Sequence, residues 1–235
     1  MKKIVFIFTL FAFWACDSGK SAETLLKEAE QLIQAGNEQK ALVLLEEACQ
    51  KNPQSAALFS RKGIVLYGLG RNPEALQDFN TALQLDPKLS EAYGGRAIIN
   101  YLMGNKQGAV EDYSQQIAFE PQNFYAYLNR GQVRAELNLV QEAMDDYRAS
   151  LKINGQHPPT YCAVGKLYFL IREFDLALQY LNLCVKFDPN FADAYINIGN
   201  IYFNQNRKEE ACQNWQKAAS LGMVEAQEMM KVDCK

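Results

Sequence analysis

One spacing constrains this chain more than any other feature: Ala41, Ala75, Ala109, Ala143, Ala177 and Ala211 recur at a constant interval of 34 residues. With alanine near a tenth of all residues, five further matches have chance odds on the order of one in 10⁵. A period of that length means a stack of units, each too small to bury its own apolar face, so that stability comes from neighbours and no single central core forms. Other columns keep the same period. A small residue returns at Ala29, Gly63, Ala97, Gly131, Gly165 and Gly199. Bulky residues return at Leu25, Phe59, Tyr93, Tyr127, Tyr161 and Tyr195, and again at Leu45, Phe79, Tyr113, Tyr147, Leu181 and Trp215. Pro53, Pro87, Pro121 and Pro189 close four units, with Gly155 and Met223 at the matching place in two others. Within each unit, two stretches of about 14 residues show apolar positions three and four apart, parted by turns such as Gly36-Asn37 and Gly104-Asn105. Helices that short are marginal alone in water, so each is expected to pair with a neighbour.

In this order and period the columns resemble the tetratricopeptide repeat, and the resemblance runs without insertion over residues 22–225. It implies an all-α solenoid of six helix-turn-helix repeats (22–55, 56–89, 90–123, 124–157, 158–191 and 192–225) wound into a right-handed superhelix. Residues 226–235 then form a short capping helix, with Met229, Met230 and Val232 on its apolar side and Glu225, Glu228 and Lys231 facing water.

The first residues follow a different pattern. Lys2 and Lys3 precede an apolar run over 4–14, then Ala15 and Cys16. Eleven helical residues span roughly 16 Å, about half a hydrocarbon core, which is short for a transmembrane span. The segment resembles a bacterial lipoprotein signal. That resemblance implies removal of residues 1–15, a diacylglycerol on Cys16, a tether over 16–21 and a location in the bacterial cell envelope, lipid-anchored on the periplasmic face or cell surface.

Chemistry is sparse in the rest. A formal net charge of -3 with no cationic cluster argues against nucleic acid. His157 is the one histidine and is expected in an exposed loop, so neither a Ser-His-Asp arrangement nor a multi-histidine metal site is expected. The carboxylates sit among lysines at surface helical spacing, and the glycines fall at turns and helix contacts rather than in a phosphate-cradling loop. Hence no enzyme, metal, cofactor or small-molecule substrate is expected. The cysteines form no CxxC pattern: Cys184 takes the small-residue place of Ala48, Ala82, Ser150 and Ala218, Cys49 and Cys162 suit buried positions, and Cys212 could meet Cys234 between the last hairpin and the cap.

What remains is surface, and the family resemblance implies a protein or peptide partner along the concave wall built by each repeat's first helix. The family's lysine-asparagine carboxylate clamp does not carry over: its places hold Leu26 with Glu30, Ser60 with Ile64, Gly94 with Ile98, Leu128 with Gln132, Cys162 with Lys166, and Ile196 with Asn200. Residues three, four and seven apart share a helical face, and the face that the family resemblance implies is turned inward carries Ile64, Tyr67, Ile98, Tyr101, Leu128, Phe169, Ile196 and Phe203, interrupted by Arg61, Asn129, Gln132, Lys166, Asn197, Asn200 and Asn204. The alternative for Tyr67, Tyr101, Phe169 and Phe203 is that they complete packing between repeats. An exposed row of Ile64, Ile98 and Ile196 rimmed by amides is expected to take a partner segment, centred on repeats two to four and continued toward six. Several lipoproteins that this chain resembles in architecture act in envelope assembly, among them pilus and secretin pilotins and adaptors for cell-wall hydrolases, and the resemblance does not choose between them. Rival readings are an array that pairs with itself to form a homo-oligomer, and an enzyme with an atypical site. Finally, Lys62, Arg96 and Arg130 lie one period apart and recur with Asp78, Asp112 and Asp146, which predicts ion pairs between helices rather than an anion site.

Overall fold

The computed structural model describes residues 19–234, so the expected signal and residues 16–18 of the expected tether, Cys16 among them, lie outside the described residues. Thirteen helices run in order among those described. Six hairpins pair α1 (Ala22–Gln34) with α2 (Glu38–Lys51), α3 (Ala56–Gly68) with α4 (Asn72–Leu85), α5 (Ser90–Leu102) with α6 (Lys106–Phe119), α7 (Phe124–Glu136) with α8 (Val140–Ile153), α9 (Pro158–Leu170) with α10 (Phe174–Phe187), and α11 (Ala192–Asn204) with α12 (Lys208–Ser220). A final helix, α13 (Val224–Asp233), packs on the last hairpin. The fold is an all-α solenoid. No helix among the described residues is long and apolar enough to cross a membrane.

Each hairpin turns on one left-handed residue. Gly36, Gly70 and Gly104 have φ of 71°, 74° and 83°, and Asn138, Arg172 and Asn206 take the same place with φ of 60°, 63° and 59°. The residue after each closes the preceding helix by bonding back to its last turn, as in Asn37 N–H to Leu32 O at 2.8 Å and Glu173 N–H to Tyr168 O at 2.9 Å. That satisfies carbonyls the helix end would leave unpaired and sets the reversal.

The periodic columns are the packing surface. All six alanines of the 34-residue column are 0% exposed. The small column lies directly beneath the bulky one of the same repeat: a Cβ on Gly131, Gly165 or Gly199 would come within 2.6 Å of Tyr147, 2.6 Å of Leu181 and 2.5 Å of Trp215. Those distances are inside van der Waals contact, so glycine sets how closely the paired helices approach. Cys49, Cys162 and Cys184 are buried, as small core residues.

Two expectations at the margins are corrected. Val232 is 73% exposed, so the inner side of α13 is carried by Ala226, Met229 and Met230 instead. His157 is not an exposed loop residue. It stands at the N-cap of α9 with its ring edge-on to Phe124 and Tyr125 and Nδ1 2.8 Å from Thr160 Oγ1. Burial there lowers its pKa below the ordinary imidazole value. Cys212 and Cys234 are joined in a disulfide with a Cα–Cα distance of 5.8 Å, tying the cap to α12.

Candidate protein-binding groove

The first helices of successive repeats carry one stripe at matching places, and those of repeats two to five turn part of it toward the same hollow. At the third residue before each turn the stripe carries Ile33, Tyr67, Tyr101, Ala135, Phe169 and Phe203, one period apart. Three positions earlier it carries Ile64, Ile98, Gln132, Lys166 and Asn200. Two cavities occupy this face. One of about 590 Å³ lies between Tyr67, Tyr101, Asn129, Gln132, Lys166 and Leu170, and one of about 310 Å³ between Ile64, Gly95, Gln116 and Tyr125. Tyr67, Ile98, Tyr113 and Asn129 line both, so the two form one groove over repeats two to five.

Its floor is apolar and its charges are paired off. The Glu136 carboxylate accepts from Lys106 Nζ at 2.8 Å and Tyr101 Oη at 2.6 Å. Lys106 and then Tyr101 hold it below the usual carboxylate range, and Glu136 in turn raises the Tyr101 phenol. Lys166 forms a salt bridge with Asp193. Burial works against that ammonium, but the carboxylate outweighs it and the pKa is raised. Deeper in, the Tyr113 phenol is pushed up to about 12, burial outweighing a bond from Asn129, and burial raises Tyr147 as well. At the first-repeat side Arg61 lies 3.9 Å from Glu30 and 3.7 Å from Glu91.

The structure brings together Ile64, Tyr67, Ile98, Tyr101, Asn129, Gln132 and Lys166 of the residues expected from sequence. Leu128 and Ile196 are corrected: both are 4% exposed. They share a column with Ser60, Gly94 and Cys162, which packs against neighbouring helices, whereas Ile64 and Ile98 lie in the next column round and stay half-buried. The expected exposed isoleucine row therefore has two members. Repeat six borders the groove through Asp193 at the start of α11, while its expected residues Ile196, Asn197, Asn200, Phe203 and Asn204 do not line it. Asn200 accepts from Trp215 Nε1 at 3.0 Å, Asn197 donates to Asp193 O at 2.6 Å, Asn204 donates to Asn200 O at 2.7 Å, and Phe203 packs on Trp215. Phe169 packs on Phe174.

Sequence reading missed Tyr125, Leu102, Leu170 and Gln116. The signal for Gln116 was a coupled swap. Its column is otherwise Ala48, Ala82, Ser150, Cys184 and Ala218, and only Gly94 opposite leaves room, since a Cβ there would lie 2.5 Å from Gln116 Nε2.

Family models described as tetratricopeptide repeat match residues 56–89 and 192–222, 101–158, and 158–191. The chain is a tetratricopeptide-repeat protein. No curated protein matches it significantly. Among solved structures, PilW, described as a widely conserved type IV pilus biogenesis factor, is 17% identical with a TM-score of 0.81, covering 89% of this chain and 98% of that one. The Pseudomonas aeruginosa PilF structure is 19% identical with a TM-score of 0.76, covering 89% and 96%. YrrB, described as a TPR protein with an unusual peptide-binding site, is 20% identical with a TM-score of 0.62, covering 80% and 98%. At these identities the likeness is one of fold.

On this tetratricopeptide-repeat framework the basic ladder lies away from the groove lining. Lys62 meets Asp78 at 3.1 Å, Arg96 meets Asp112 at 2.6 Å and Arg130 meets Asp146 at 2.6 Å, each pair joining the two helices of one repeat. Each arginine also reaches the previous repeat, Arg96 to Asn80 at 2.9 Å and Arg130 to Ser114 at 3.0 Å. The cations lie 5.4 to 5.7 Å from the rings of Phe59, Tyr93 and Tyr127. Arg134 adds a second base to Asp146 at 2.7 Å, unforeseen from the columns. The ladder is structural, clamping helix to helix and repeat to repeat.

Proposed function

We propose that this protein is an envelope adaptor, held at a membrane by lipid on Cys16, that takes a segment of another protein into the groove of repeats two to five. Tetratricopeptide-repeat proteins are in general interaction scaffolds rather than enzymes, and the observation that carries the reading here is the continuous hollow lined by exposed Tyr67, half-buried Ile64 and Ile98, and amides. A concave, largely apolar hollow with a few convergent polar groups is the usual form of a binding site. The lipid anchor is supported by the apolar run ending in Ala15-Cys16. The Cys212–Cys234 disulfide suits an oxidising compartment such as the space outside the inner membrane. Likeness in fold and span to PilW, a pilus biogenesis factor by its description, and to YrrB, with its peptide-binding site, supports a role in assembly through peptide capture.

Anchoring and capture are tested separately. Cys16→Ser is expected to release the protein from membranes without detergent. Unchanged partition and mass would remove the lipid from the account. Ile64→Ser with Ile98→Ser is expected to abolish crosslinking of the partner in the native envelope while helicity stays within a few per cent of wild type. Retained crosslinking would move the binding surface off the groove.

A further inference from the structure

We infer that the segment this groove accepts is uncharged, proline-rich and in the polyproline II conformation. The inference rests on the groove reading above and names the chemistry of its occupant.

Charge is the first observation. Glu136 is held by Lys106 and Tyr101, and Lys166 by Asp193, so the middle of the groove offers an incoming segment little unbalanced charge. A charged segment would lose hydration there without gaining a partner. The second is the aromatic lining. Tyr67 and Tyr125 are 41% and 55% exposed, Tyr125 is held against the rings of Phe124 and His157, and Tyr101 is locked in place by its bond to Glu136. Rings so held, as Tyr101 and Tyr125 are, offer apolar surface to pyrrolidine rings at little entropic cost, and Tyr67 adds an exposed ring beside them. The third is spacing. Tyr67 and Tyr101 occupy the same place in adjacent repeats, and packed helices lie about 8–10 Å apart. A polyproline II helix has 3 residues per turn at about 3.1 Å each, so every third residue advances roughly 9 Å, a step of the same size as that between the helices carrying Tyr67 and Tyr101. The fourth is hydrogen bonding. Polyproline II makes no internal hydrogen bonds and leaves its carbonyls outward, where the exposed amide of Gln132 and the Gln116 amide in the notch over Gly94 can donate to them. An extended strand has less to gain, since the described residues are all-helical and present no sheet edge.

The test is fluorescence anisotropy on the mature chain, using as probe a labelled, end-blocked nonapeptide of repeating Pro-Pro-Ala, beside an amphipathic Leu/Lys/Glu helix of the same length. The proline probe is expected to bind saturably, with less than about a twofold change between 0.05 and 0.5 M salt because no ion pair forms. Tyr67→Ala and Tyr101→Ala should each weaken it about tenfold, whereas Tyr101→Phe, which keeps the ring and loses the Glu136 bond, should stay within about threefold. Far-UV helicity checks that each variant is folded. No binding of the proline probe, binding indifferent to both alanine variants, or tighter binding of the helical probe overturns the inference. If the native partner still crosslinks through Ile64 and Ile98 while the proline probe fails, only this inference falls. If both fail, the groove reading falls with it.

Discussion

Lys62 stands where the next two repeats carry arginine, and its aspartate shows the difference. Asp112 is met by both Nε and Nη2 of Arg96, and Asp146 by the same fork of Arg130. Asp78 is met by Lys62 on Oδ1, and its buried Oδ2 has no hydrogen-bond partner. Burial raises the Asp78 pKa, with the Lys62 ammonium pulling the other way. A raised folded-state pKa means that the folded protein holds the proton more tightly. The contribution of this carboxyl to stability is therefore full below the unfolded value near 3.9 and lost as pH rises through the folded value. Lys62→Arg is expected to supply the missing fork, stabilise the protein by about 1 kcal/mol at neutral pH, and move the Asp78 carboxyl titration, followed by NMR, downward toward the ordinary range. An unchanged melting curve and titration would show that a lysine is as good a partner there. By contrast Asp146, 3% exposed and shared by two arginines, is expected to cost about 3 kcal/mol on replacement by alanine, read from chemical denaturation.

At the scale of the helical hairpin, one turn in the fifth repeat is strained. Five of the six hairpins place glycine or asparagine at the left-handed residue, whereas α9 and α10 are joined through Arg172 at φ 63°. Left-handed backbone costs an ordinary side chain roughly 1 kcal/mol, so Arg172→Gly is expected to gain about that much, offset in part by the entropy of glycine in the unfolded chain. A loss in thermal stability would mean that the guanidinium has a role the backbone does not reveal. Ala143→Leu should do the reverse. Ala143 is 0% exposed between paired helices, and three added carbons have nowhere to go without backbone shift, for an expected cost of roughly 1 to 3 kcal/mol. Most of this was legible in the sequence because the period-34 columns are direct records of contact: alanine, glycine and the bulky residues each recur where two helices touch. The ion pairs were legible for the same reason, since base and acid vary together. Helical faces were harder to read. Leu128 and Ile196 differ from Ile64 and Ile98 by one step round the helix, yet that step separates helix contact from groove, and an apolar residue looks alike on both sides of the boundary. Gln116 was missed because one polar residue in a column of small ones gains meaning only once Gly94 is seen opposite it.

At the scale of the molecule, a stack of repeats is stable as a sum of neighbouring contacts, so its ends are its weakest parts. The described chain ends in a helix of 10 residues whose buried side is one alanine with two partly buried methionines, too little to hold firmly by packing alone. The Cys212–Cys234 disulfide closes a loop with a sequence separation of 22, which is worth roughly 3 kcal/mol in chain entropy. Cys212→Ser with Cys234→Ser is expected to raise amide exchange across α13 and the end of α12 while repeats two to five keep wild-type protection; uniform loss of protection would instead mean that the array unfolds as one unit. The groove lies in those central repeats, where stacking on both sides holds it open before a partner arrives. The central claim is that this hollow is where another protein is held. The most direct measurement places a photo-crosslinking residue at Gln132, exposed on the groove, and separately at Gln115, exposed on the second helix of repeat three, in cells making the full chain. The account predicts one discrete adduct from position 132 that disappears with Ile64→Ser and Ile98→Ser, and none from position 115. An adduct from position 115 that survives those changes, with nothing from position 132, would contradict it.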